Sequence, residues 1–303
     1  MKAVQFHEFG GPDVLKIVDL PDPHPAHGQV RIRVHAVGIS ASDPKIRSGA
    51  LSFGAPLPQG TGRDVAGVVD ELGEGVTDVK VGDRVFGISD DGYGAADYAL
   101  LSIYAVIPVS LGFVDAAGLP VALETATRGI DQLNVTDGTT LFINGASGGI
   151  GSTAIQLAVA RGARVIGAAS AANQNYLALL GAEPVVYGDG MVDRVRKIAP
   201  DGVDVALDVV GNGILPELIE LTGTAQNVIT LADFDGSKKY GVHFSNGFED
   251  GHGFHSLATI GALIEAGKFW LPIDKTFPFT GIAEAHRVSE TGRVRGRLAV
   301  IVN

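Results

Sequence analysis

The chain has 303 residues, of which 46% are hydrophobic and 19% charged, a composition typical of an ordinary globular protein with one large domain or two. Its net charge of −11, with no run of basic residues, argues against a nucleic-acid surface, and no uninterrupted apolar stretch reaches the roughly 18 residues of a membrane span. The absence of cysteine excludes disulfides, thiolate metal sites and cysteine nucleophiles. We therefore expect a cytoplasmic protein whose partner is a small molecule rather than a nucleic acid or a membrane.

The first third of the chain has the pattern of a β-rich domain. Valine and isoleucine alternate with arginine over residues 30–34, which is the period of a strand with one face in solvent. Similar patterns cover 65–72, 84–87 and 97–107, and glycine, proline and aspartate separate them. Helical periodicity is weak up to about residue 109, so we expect this region to be mostly β.

Helices and strands alternate after Pro108. Residues 115–133 have helical spacing, and from residue 139 onward strand and helix patterns follow one another. The predicted strands cover 140–144, 164–170, 184–187, 203–209 and 226–230, and the predicted helices cover 150–161, 173–180, 191–198 and 214–221. Gly162 and Gly181 stand where a C′ glycine ends a helix. Repeated β-α units of this length predict a doubly wound parallel sheet.

The last stretch of the chain leaves this pattern. It is strand-like over 273–279, helical and amphipathic over 281–290, and strand-like again over 297–302. Because a doubly wound sheet offers it no obvious place, we expect this segment to return to the first domain.

A glycine-rich turn follows the first strand of the alternating region. The apolar run 141–143 predicts a strand buried on both faces, and a helical pattern begins at about Ile150. Gly145 would turn the chain, Gly148 would let a pyrophosphate approach bare backbone, and Gly151 would let the helix pack closely on the strand. This is the pattern of a Rossmann dinucleotide site, with the helix N-terminus facing the anion. The expected contacts in the turn are Gly145, Ser147, Gly148, Gly149, Ile150 and Gly151.

Two other interpretations fit the same turn. A glycine cluster between a strand and a helix can simply be a tight loop. The segment Gly145-Ala146-Ser147-Gly148-Gly149 also matches the G-x-S-x-G elbow of an α/β hydrolase, which would make Ser147 a nucleophile. That enzyme would need a later histidine, and the C-terminal histidine on a well-patterned segment is His286.

The residue that ends the second strand of a Rossmann unit selects the cofactor. That residue is Ser170, and no carboxylate follows it up to Asn173, which favours NADP because a carboxylate would repel the 2′-phosphate. With no lysine or arginine near these positions, the phosphate would be held by Ser170, Asn173 and Tyr187 with help from a remote cation. Alternatively, Ser170 and Asn173 shape a turn and cap the following helix.

The arrangement resembles the medium-chain dehydrogenase/reductase superfamily, specifically its zinc-independent quinone oxidoreductase (zeta-crystallin-like) branch. The segments that carry the resemblance are VHAVGISASDPKIRSG (34–49), GTGRDVAGVVDELGEGVTDVKVGDRVFG (60–87), GGIG (148–151) and HRVSETGRVRGRLAV (286–300). The resemblance implies an α/β protein with a GroES-like β-rich substrate and catalytic domain, residues 1–118 and 270–303, and a Rossmann doubly wound parallel-sheet domain that binds NADP, residues 119–269. A homodimer is also expected.

The resemblance further implies that the catalytic zinc of related alcohol dehydrogenases is absent. Ser40 stands where those enzymes have a cysteine, and Arg63-Asp64 stands where they have a His-Glu pair; serine and arginine are not credible zinc ligands. The segment His252-Gly253-Phe254-His255 is interpreted as a surface loop. Without zinc to polarise a simple ketone, hydride transfer to a quinone or an α,β-unsaturated carbonyl is expected.

Further site residues follow from matching the family segments. Ser40, Ser42 and Asp43 are the candidate catalytic residues, Ser42 as a donor to the reduced oxygen, while Asp43, Lys45 and Arg47 are also expected in ion pairs or in fixing the loop. Thr125 matches a threonine beside the nicotinamide end, and the unusual Glu124 would change the site or cap a helix. The remaining candidate cofactor contacts are Val210, Gly211, Leu231, Ala232, Phe244 and Ser245, with Asp208 as a polar hook or a turn cap. A protein that binds NADPH in a structural or regulatory role is the alternative function.

Overall fold

A computed structural model describes residues 1–52, 54–247 and 249–302. Within these residues the strands are β1 (Lys2–Phe6), β2 (Lys16–Asp19), β3 (Val30–Ile39), β4 (Gln59–Gly60), β5 (Asp64–Leu72), β6 (Arg84–Ile88), β7 (Tyr98–Leu101), β8 (Ile103–Val106), β9 (Thr140–Asn144), β10 (Arg164–Ala169), β11 (Glu183–Val186), β12 (Val205–Asp208), β13 (Val228–Thr230), β14 (His243–Phe244), β15 (Ile273–Pro278) and β16 (Arg297–Ile301). The α-helices are α1 (Ser42–Ser48), α2 (Phe113–Ala117), α3 (Pro120–Gln132), α4 (Gly149–Ala160), α5 (Gln174–Leu179), α6 (Met191–Ile198), α7 (Leu215–Thr222), α8 (Phe234–Tyr240), α9 (His255–Glu265) and α10 (Ile282–Glu290), and short 3₁₀ turns cover Pro12–Val14, Ala171–Asn173, Ala225–Asn227 and Phe279–Gly281.

The chain divides, over the part that the structure describes, into a unit of Met1–Val121 with Leu257–Asn303 and a unit of Ala122–Ser256. The second unit contains a parallel sheet in the order β11-β10-β9-β12-β13-β14, which is the doubly wound Rossmann order. Leu141, Phe142 and Ile143 of β9 are fully buried at its centre, as the apolar run predicts. The domain boundaries at 118/119 and 269/270 stay a prediction.

The first unit is built mainly from antiparallel β-structure, and its β15-β16 pair is parallel. One sheet has the order β2-β1-β4, and the other has the order β15-β16-β3-β5-β6-β8, with β7 also paired to β3. Val30, Ile32 and Val34 of β3 point into its apolar core, and the intervening Arg33 is exposed, as the alternation predicts. The C-terminal strand β16 pairs with β3, which confirms that the end of the chain returns to the β-rich first third.

Several elements differ from the prediction. The single helix predicted over 115–133 is two helices, because α2 ends at Ala117 with Gly118 as its C-cap, and Pro120 begins α3 at a position that suits the fixed φ of proline. The helices α1, α8 and α9 and the short strand β14 were not predicted from the sequence. None of the helices in the described ranges is both long enough and apolar enough to cross a bilayer.

Candidate functional site

The glycine-rich turn between β9 and α4 has the geometry that its spacing predicts. Gly145 has φ +80°, a left-handed conformation that turns the chain. A Cβ at Gly151 would lie 2.4 Å from the Gly145 carbonyl oxygen, so the absence of a side chain lets α4 pack against the turn. A Cβ at Gly148, the N-cap of α4, would meet only the Gly145 oxygen among the described atoms, at 3.8 Å. The main chain at Gly148 is therefore open to an anion at a helix N-terminus.

The contacts of Ser147 do not form a hydrolase triad. Its hydroxyl oxygen accepts a hydrogen bond from the side-chain amide of Asn173, at 3.1 Å. His286, the histidine that the hydrolase interpretation required, is fully buried in the β-rich unit, where its Nε2 lies 3.4 Å from the Thr61 hydroxyl. Neither serine nor histidine has the activated pairing that a nucleophile needs.

The loops after β10 and β11 meet where the adenosine end of a dinucleotide is expected. The amide of Tyr187 donates to the carbonyl of Ala169, and the Tyr187 side chain is half exposed. The alternative that Ser170 and Asn173 shape a turn is confirmed, because the Asn173 amide donates to the Ser170 carbonyl at 2.9 Å. The capping part is wrong for the side chains, since both residues stand at N-cap positions but neither makes a side-chain capping bond within the described chain. The Asn173 side chain instead donates to the Ser147 hydroxyl and so links the loop after β10 to the glycine-rich turn.

Arg194 is a cation beside the loop that contains Tyr187, and it was not singled out from the sequence. Its guanidinium lies across the loop after β11, where Nε and Nη2 donate to the carbonyl of Val186 at 3.1 and 2.8 Å and Nη1 donates to that of Asp189 at 2.8 Å. Nη2 also lies 3.5 Å from the Tyr187 carbonyl oxygen. Because the partners of Arg194 are backbone carbonyls, no sequence pattern reveals these contacts. The position of Arg194, early in α6 after the Gly188–Gly190 turn, was the signal that the sequence offered.

Asp208 organises the loops at the carboxyl ends of β12 and β13. Its buried carboxylate accepts hydrogen bonds from the Asn144 amide group at 2.9 Å and from the Thr230 hydroxyl at 2.8 Å. The same carboxylate accepts the backbone amides of Val210 and Gly211, at 3.0 and 3.2 Å. This confirms the turn-capping interpretation of Asp208.

Candidate contacts follow directly from the Asp208 turn. A Cβ at Gly211 would lie 2.8 Å from the backbone of Ala232, so the two loops pack on each other. The amide of Leu231 donates to the Asp208 carbonyl, and Val210 is about half exposed beside the turn. Their contact with a cofactor stays a prediction.

Glu124 and Arg128 form a buried ion pair on α3. The Arg128 Nε donates to Glu124 Oε1 at 2.8 Å, and another guanidinium nitrogen donates to the Ser245 hydroxyl. Ser245 follows Phe244 of β14, and its amide donates to the carbonyl of Thr230 at the end of β13. The prediction that Glu124 could cap a helix is wrong, because Glu124 lies within α3 and not at its end. A buried charge is stable only when it is paired, and Arg128 provides the partner.

The candidate catalytic residues form a hydrogen-bonded chain in the β-rich unit. The backbone amide and the hydroxyl of Ser40 both donate to one carboxylate oxygen of Asp43, at 2.7 and 2.6 Å. The hydroxyl of Ser42 lies 2.6 Å from that of Ser40. Ser40 and Asp43 are buried, and Ser42 is half-buried. The structure therefore brings the three residues together, and their role in catalysis stays a prediction.

The charged residues that follow in α1 differ in environment. Arg47 is buried, donates from Nε to the Gly10 carbonyl at 3.0 Å and forms an ion pair with Glu290 of α10. This confirms the ion-pair expectation for Arg47, whereas Lys45 is exposed. Asp43 fixes the start of α1 through Ser40, as the loop-fixing expectation states.

Asp64, one of the positions matched to zinc ligands in related enzymes, belongs to a buried ion pair. Asp64 accepts the amide of Val121 at 2.7 Å and pairs with Arg297 of β16. Burial lowers the pKa of Arg297 to about 10, and the negative charge of Asp43 opposes that shift. Nowhere in the described ranges do three histidine, cysteine or acidic side chains converge as a metal site requires. In the segment 252–255, His252 is half exposed and stacks on Phe254.

The environment of His286 makes the stability of the protein dependent on pH. Burial lowers the pKa of His286 to about 4 from 6.5; Asp43 and Glu290 raise it and Arg47 lowers it. Because the unfolded chain binds a proton between these values and the folded chain does not, the free energy of unfolding falls as the pH decreases from 6.5 to 4, by up to about 3 kcal/mol. We expect His286→Leu to remove most of this dependence in urea unfolding at pH 7 and pH 4.5. The matched control His7→Leu, at an exposed histidine, should retain it, and an unchanged slope in His286→Leu would contradict the assignment.

The fold and the open turn at Gly148 define a dinucleotide-binding α/β protein joined to a β-rich unit. Comparison with known families gives matches to an alcohol dehydrogenase GroES-like domain over residues 26–112 and to a zinc-binding dehydrogenase domain over residues 180–300. The quinone oxidoreductase of Lama guanicoe is 31% identical over 100% of this chain and 98% of its own length. The NADPH-dependent alkenal/one oxidoreductase of Arabidopsis thaliana is 30% identical over 99% of this chain and 79% of its own. The structure of the quinone oxidoreductase from Coxiella burnetii superposes with a TM-score of 0.85 at 32% identity and covers 100% of this chain and 99% of that one.

The chain therefore belongs to the medium-chain dehydrogenase/reductase superfamily, in its zeta-crystallin-like quinone oxidoreductase branch. The fold class predicted from the sequence, a GroES-like domain with a Rossmann parallel sheet, is confirmed.

Proposed function

We propose that the protein is an NADPH-dependent oxidoreductase that transfers hydride to a quinone or an α,β-unsaturated carbonyl compound. The observation that carries the proposal is the open main chain at Gly148, where α4 presents its N-terminus and no Cβ obstructs a diphosphate. The names of the relatives from Lama guanicoe and Arabidopsis thaliana support a quinone or an enone as the acceptor, and the name of the second also supports NADPH as the cofactor.

The residues that would hold the cofactor lie along the carboxyl edge of the parallel sheet. The turn 145–151 would bind the diphosphate, Ser170, Asn173 and Tyr187 the adenosine end, and the loops after β12, β13 and β14 the nicotinamide half. When bound, the reduced nicotinamide supplies the hydride and the two electrons that the acceptor takes up. The chain itself contributes binding, orientation and exclusion of water.

The zinc-independent character of the reaction is also part of the proposal. Ser40 donates its hydroxyl proton to Asp43, and Asp64 is neutralised by Arg297, so both are already engaged in the fold. Without a Lewis acid, an electron-poor quinone or enone is easier to reduce than a simple ketone. Hydride transfer leaves negative charge on an oxygen in both classes. A quinone then gains a proton at that oxygen to become a hydroquinone, whereas an enone takes hydride at its β-carbon and gains its proton at the α-carbon.

The directions of the hydrogen bonds among Ser42, Ser40 and Asp43 bear on the source of that proton. A hydroxyl has one proton, and Ser40 donates it to Asp43, so Ser42 must be the donor to Ser40. Ser42 then presents lone pairs rather than a proton when Asp43 is ionised. We therefore assign Ser42 to accept a hydrogen bond from the hydroxyl of a reduced quinone, Ser40 and Asp43 to hold Ser42 in that orientation, and solvent to supply the proton for either acceptor class.

Turnover is the direct test of the proposed function. The purified protein is mixed with NADPH and phenanthrenequinone, and with NADPH and a panel of conjugated enones, and the absorbance of reduced nicotinamide is followed. Oxidation that requires both the acceptor and the protein is the expected result. Tight NADPH binding without oxidation across the panel would favour a structural or regulatory NADPH-binding protein instead.

Arg194 is expected to contribute to the preference for NADPH over NADH. Its charge lies beside the loop that contains Tyr187, where a 2′-phosphate would add negative charge. We expect Arg194→Gln to reduce the ratio of the NADH and NADPH dissociation constants by about tenfold, measured by fluorescence titration. Arg196→Gln is the matched control, since that arginine of the same helix pairs with Glu220 at 2.8 Å and should leave the ratio unchanged. Equal ratios in the wild type and Arg194→Gln would remove Arg194 from cofactor selection.

The cellular setting and assembly complete the proposal. We place the protein in the cytoplasm as a homodimer acting on a small molecule, with no nucleic-acid or membrane partner. The net charge of −11 supports the exclusion of nucleic acid.

A further inference from the structure

The side chains around Thr125 fix the direction of its hydroxyl group. Thr125 Oγ1 donates to Glu124 Oε2 at 2.9 Å, and Glu124 Oε1 accepts from Arg128 Nε at 2.8 Å. The side chain of Glu124 is 9% exposed and that of Arg128 is 8% exposed, so the two form a buried ion pair. A threonine hydroxyl has one proton, and here Glu124 takes it. Toward anything that approaches from outside, the half-buried Thr125 therefore offers lone pairs alone.

The same ion pair ties α3 to the edge of the sheet. Arg128 donates to the hydroxyl of Ser245, which follows β14, and Glu124 accepts the backbone amide of Gly253 at 3.4 Å. A Cβ at Gly253 would lie 2.4 Å from the Glu124 carbonyl oxygen, so this loop packs directly on the helix. Thr125 is thereby held at the β13-β14 end of the carboxyl edge.

This position selects the half of the cofactor that Thr125 would meet. A dinucleotide in a doubly wound fold lies across the carboxyl edge, with its diphosphate at the turn after β9 and its adenosine over β10 and β11. The strands β12, β13 and β14 then lie under the nicotinamide half. The nicotinamide carboxamide carries N–H groups, and an oxygen restricted to accepting is complementary to them.

We infer that Glu124 is a positioning residue that makes Thr125 an obligate hydrogen-bond acceptor for the carboxamide N–H of the nicotinamide. The inference rests on the proposed function, since it needs a nicotinamide nucleotide in the site. Arg128 pairs with the Glu124 carboxylate and donates to the Ser245 hydroxyl. Selectivity for the carboxamide is therefore a consequence of a buried charge pair that does not itself touch the ligand.

The test compares two cofactors that differ in that group. The reduced 3-acetylpyridine analogue of NADPH has a methyl ketone in place of the carboxamide and so lacks its N–H donors. We expect the wild-type protein to bind NADPH roughly tenfold more tightly than the analogue, the value of one net hydrogen bond. Thr125→Val should bring this ratio close to one, and Thr125→Ser should restore it.

Further variants separate the role of Glu124 from that of Thr125 and from folding. The double variant Glu124→Leu with Arg128→Leu replaces the buried pair by apolar side chains, an exchange that proteins often tolerate without loss of stability. The double variant should also lose the preference for NADPH, because without Glu124 the Thr125 hydroxyl is free to donate as well as to accept. Thr127→Val is the matched control: this hydroxyl of the same helix is buried with no hydrogen-bond partner in the described ranges, and its loss should leave the ratio unchanged.

The outcomes distinguish the inference from the proposed function. A ratio near one in the wild-type protein, or a full preference in the double variant, would overturn the role of Glu124. Failure of the wild type to bind either nucleotide would instead overturn the proposed function. Loss of the preference in Thr125→Val and in the double variant, with Thr127→Val unaffected, would support the inference.

Discussion

Gly148→Val is expected to abolish NADPH binding, by at least about 100-fold in the dissociation constant, while the protein remains folded. Gly148 has φ −78° and ψ 175°, which any residue adopts, and a Cβ there would lie 3.8 Å from the Gly145 carbonyl oxygen. The free protein can therefore accommodate the side chain. The valine methyl groups would occupy the space through which a diphosphate reaches the amides of α4, so that binding is blocked by a steric effect alone.

Two further glycine variants test this explanation. Gly112 is the N-cap of α2 with φ −79° and ψ 164°, and a Cβ there would lie 3.4 Å from Asp115 Oδ2; Gly112→Val should share the small capping cost and keep full affinity. Gly151→Ala places a Cβ 2.4 Å from the Gly145 oxygen and should lower stability and affinity together. Fluorescence titration with NADPH and thermal unfolding give both readouts. Unchanged NADPH affinity in Gly148→Val would locate any cofactor elsewhere.

The features that were predicted correctly from the sequence follow from local rules. The run Leu141–Ile143 must be buried because it is apolar throughout, and the three-residue spacing of Gly145, Gly148 and Gly151 leaves few conformations for a turn between strand and helix. The return of β16 to the first unit was predictable because the strand patterns of the C-terminal tail had no obvious place in a doubly wound sheet.

The features that were not predicted depend on contacts between elements rather than on local periodicity. Helix α8 and strand β14 lie in a polar, glycine-containing stretch without clear periodicity, and the Phe234 and Phe244 rings of these two elements lie 5.3 Å apart. The link from Arg128 to Ser245 spans 117 residues of sequence. The pairing of Glu124 with Arg128 could have been predicted from the sequence, because a spacing of four residues on a helix brings two side chains together.

The direction of a hydrogen bond between two hydroxyl groups also cannot be predicted from the sequence alone. Ser42 was expected to donate a proton to the reduced oxygen, since a serine hydroxyl can act as donor or acceptor. The structure restricts it, because Ser40 gives its own proton to Asp43 and leaves Ser42 to donate inward. Thr125 is restricted in the same way by Glu124. In both cases a neighbouring carboxylate decides what the hydroxyl can offer to a ligand.

Asp208→Ala is expected to lower the free energy of unfolding by about 4 kcal/mol, because the fully buried carboxylate satisfies several donors at once. Its removal leaves the Thr230 hydroxyl and the backbone amides of Val210 and Gly211 without their acceptor inside the protein. The loops after β12 and β13 would then lose the arrangement proposed for cofactor contact, so NADPH affinity should fall as well. Asp208→Asn should cost less, about 1 to 2 kcal/mol, since one oxygen remains as an acceptor.

Asp204→Ala is the matched control for the Asp208 variants, because both aspartates belong to the same β9-β12 region but differ in burial. Asp204 is exposed and accepts the amide of Thr140 at 2.8 Å, so its loss should cost about 1 kcal/mol or less and leave NADPH affinity unchanged. Urea unfolding gives the stability of each variant, and fluorescence titration gives its affinity. If Asp208→Ala were no less stable than Asp204→Ala, the buried carboxylate would not be what holds the two loops, and their order would have to come from the packing of Gly211 on Ala232.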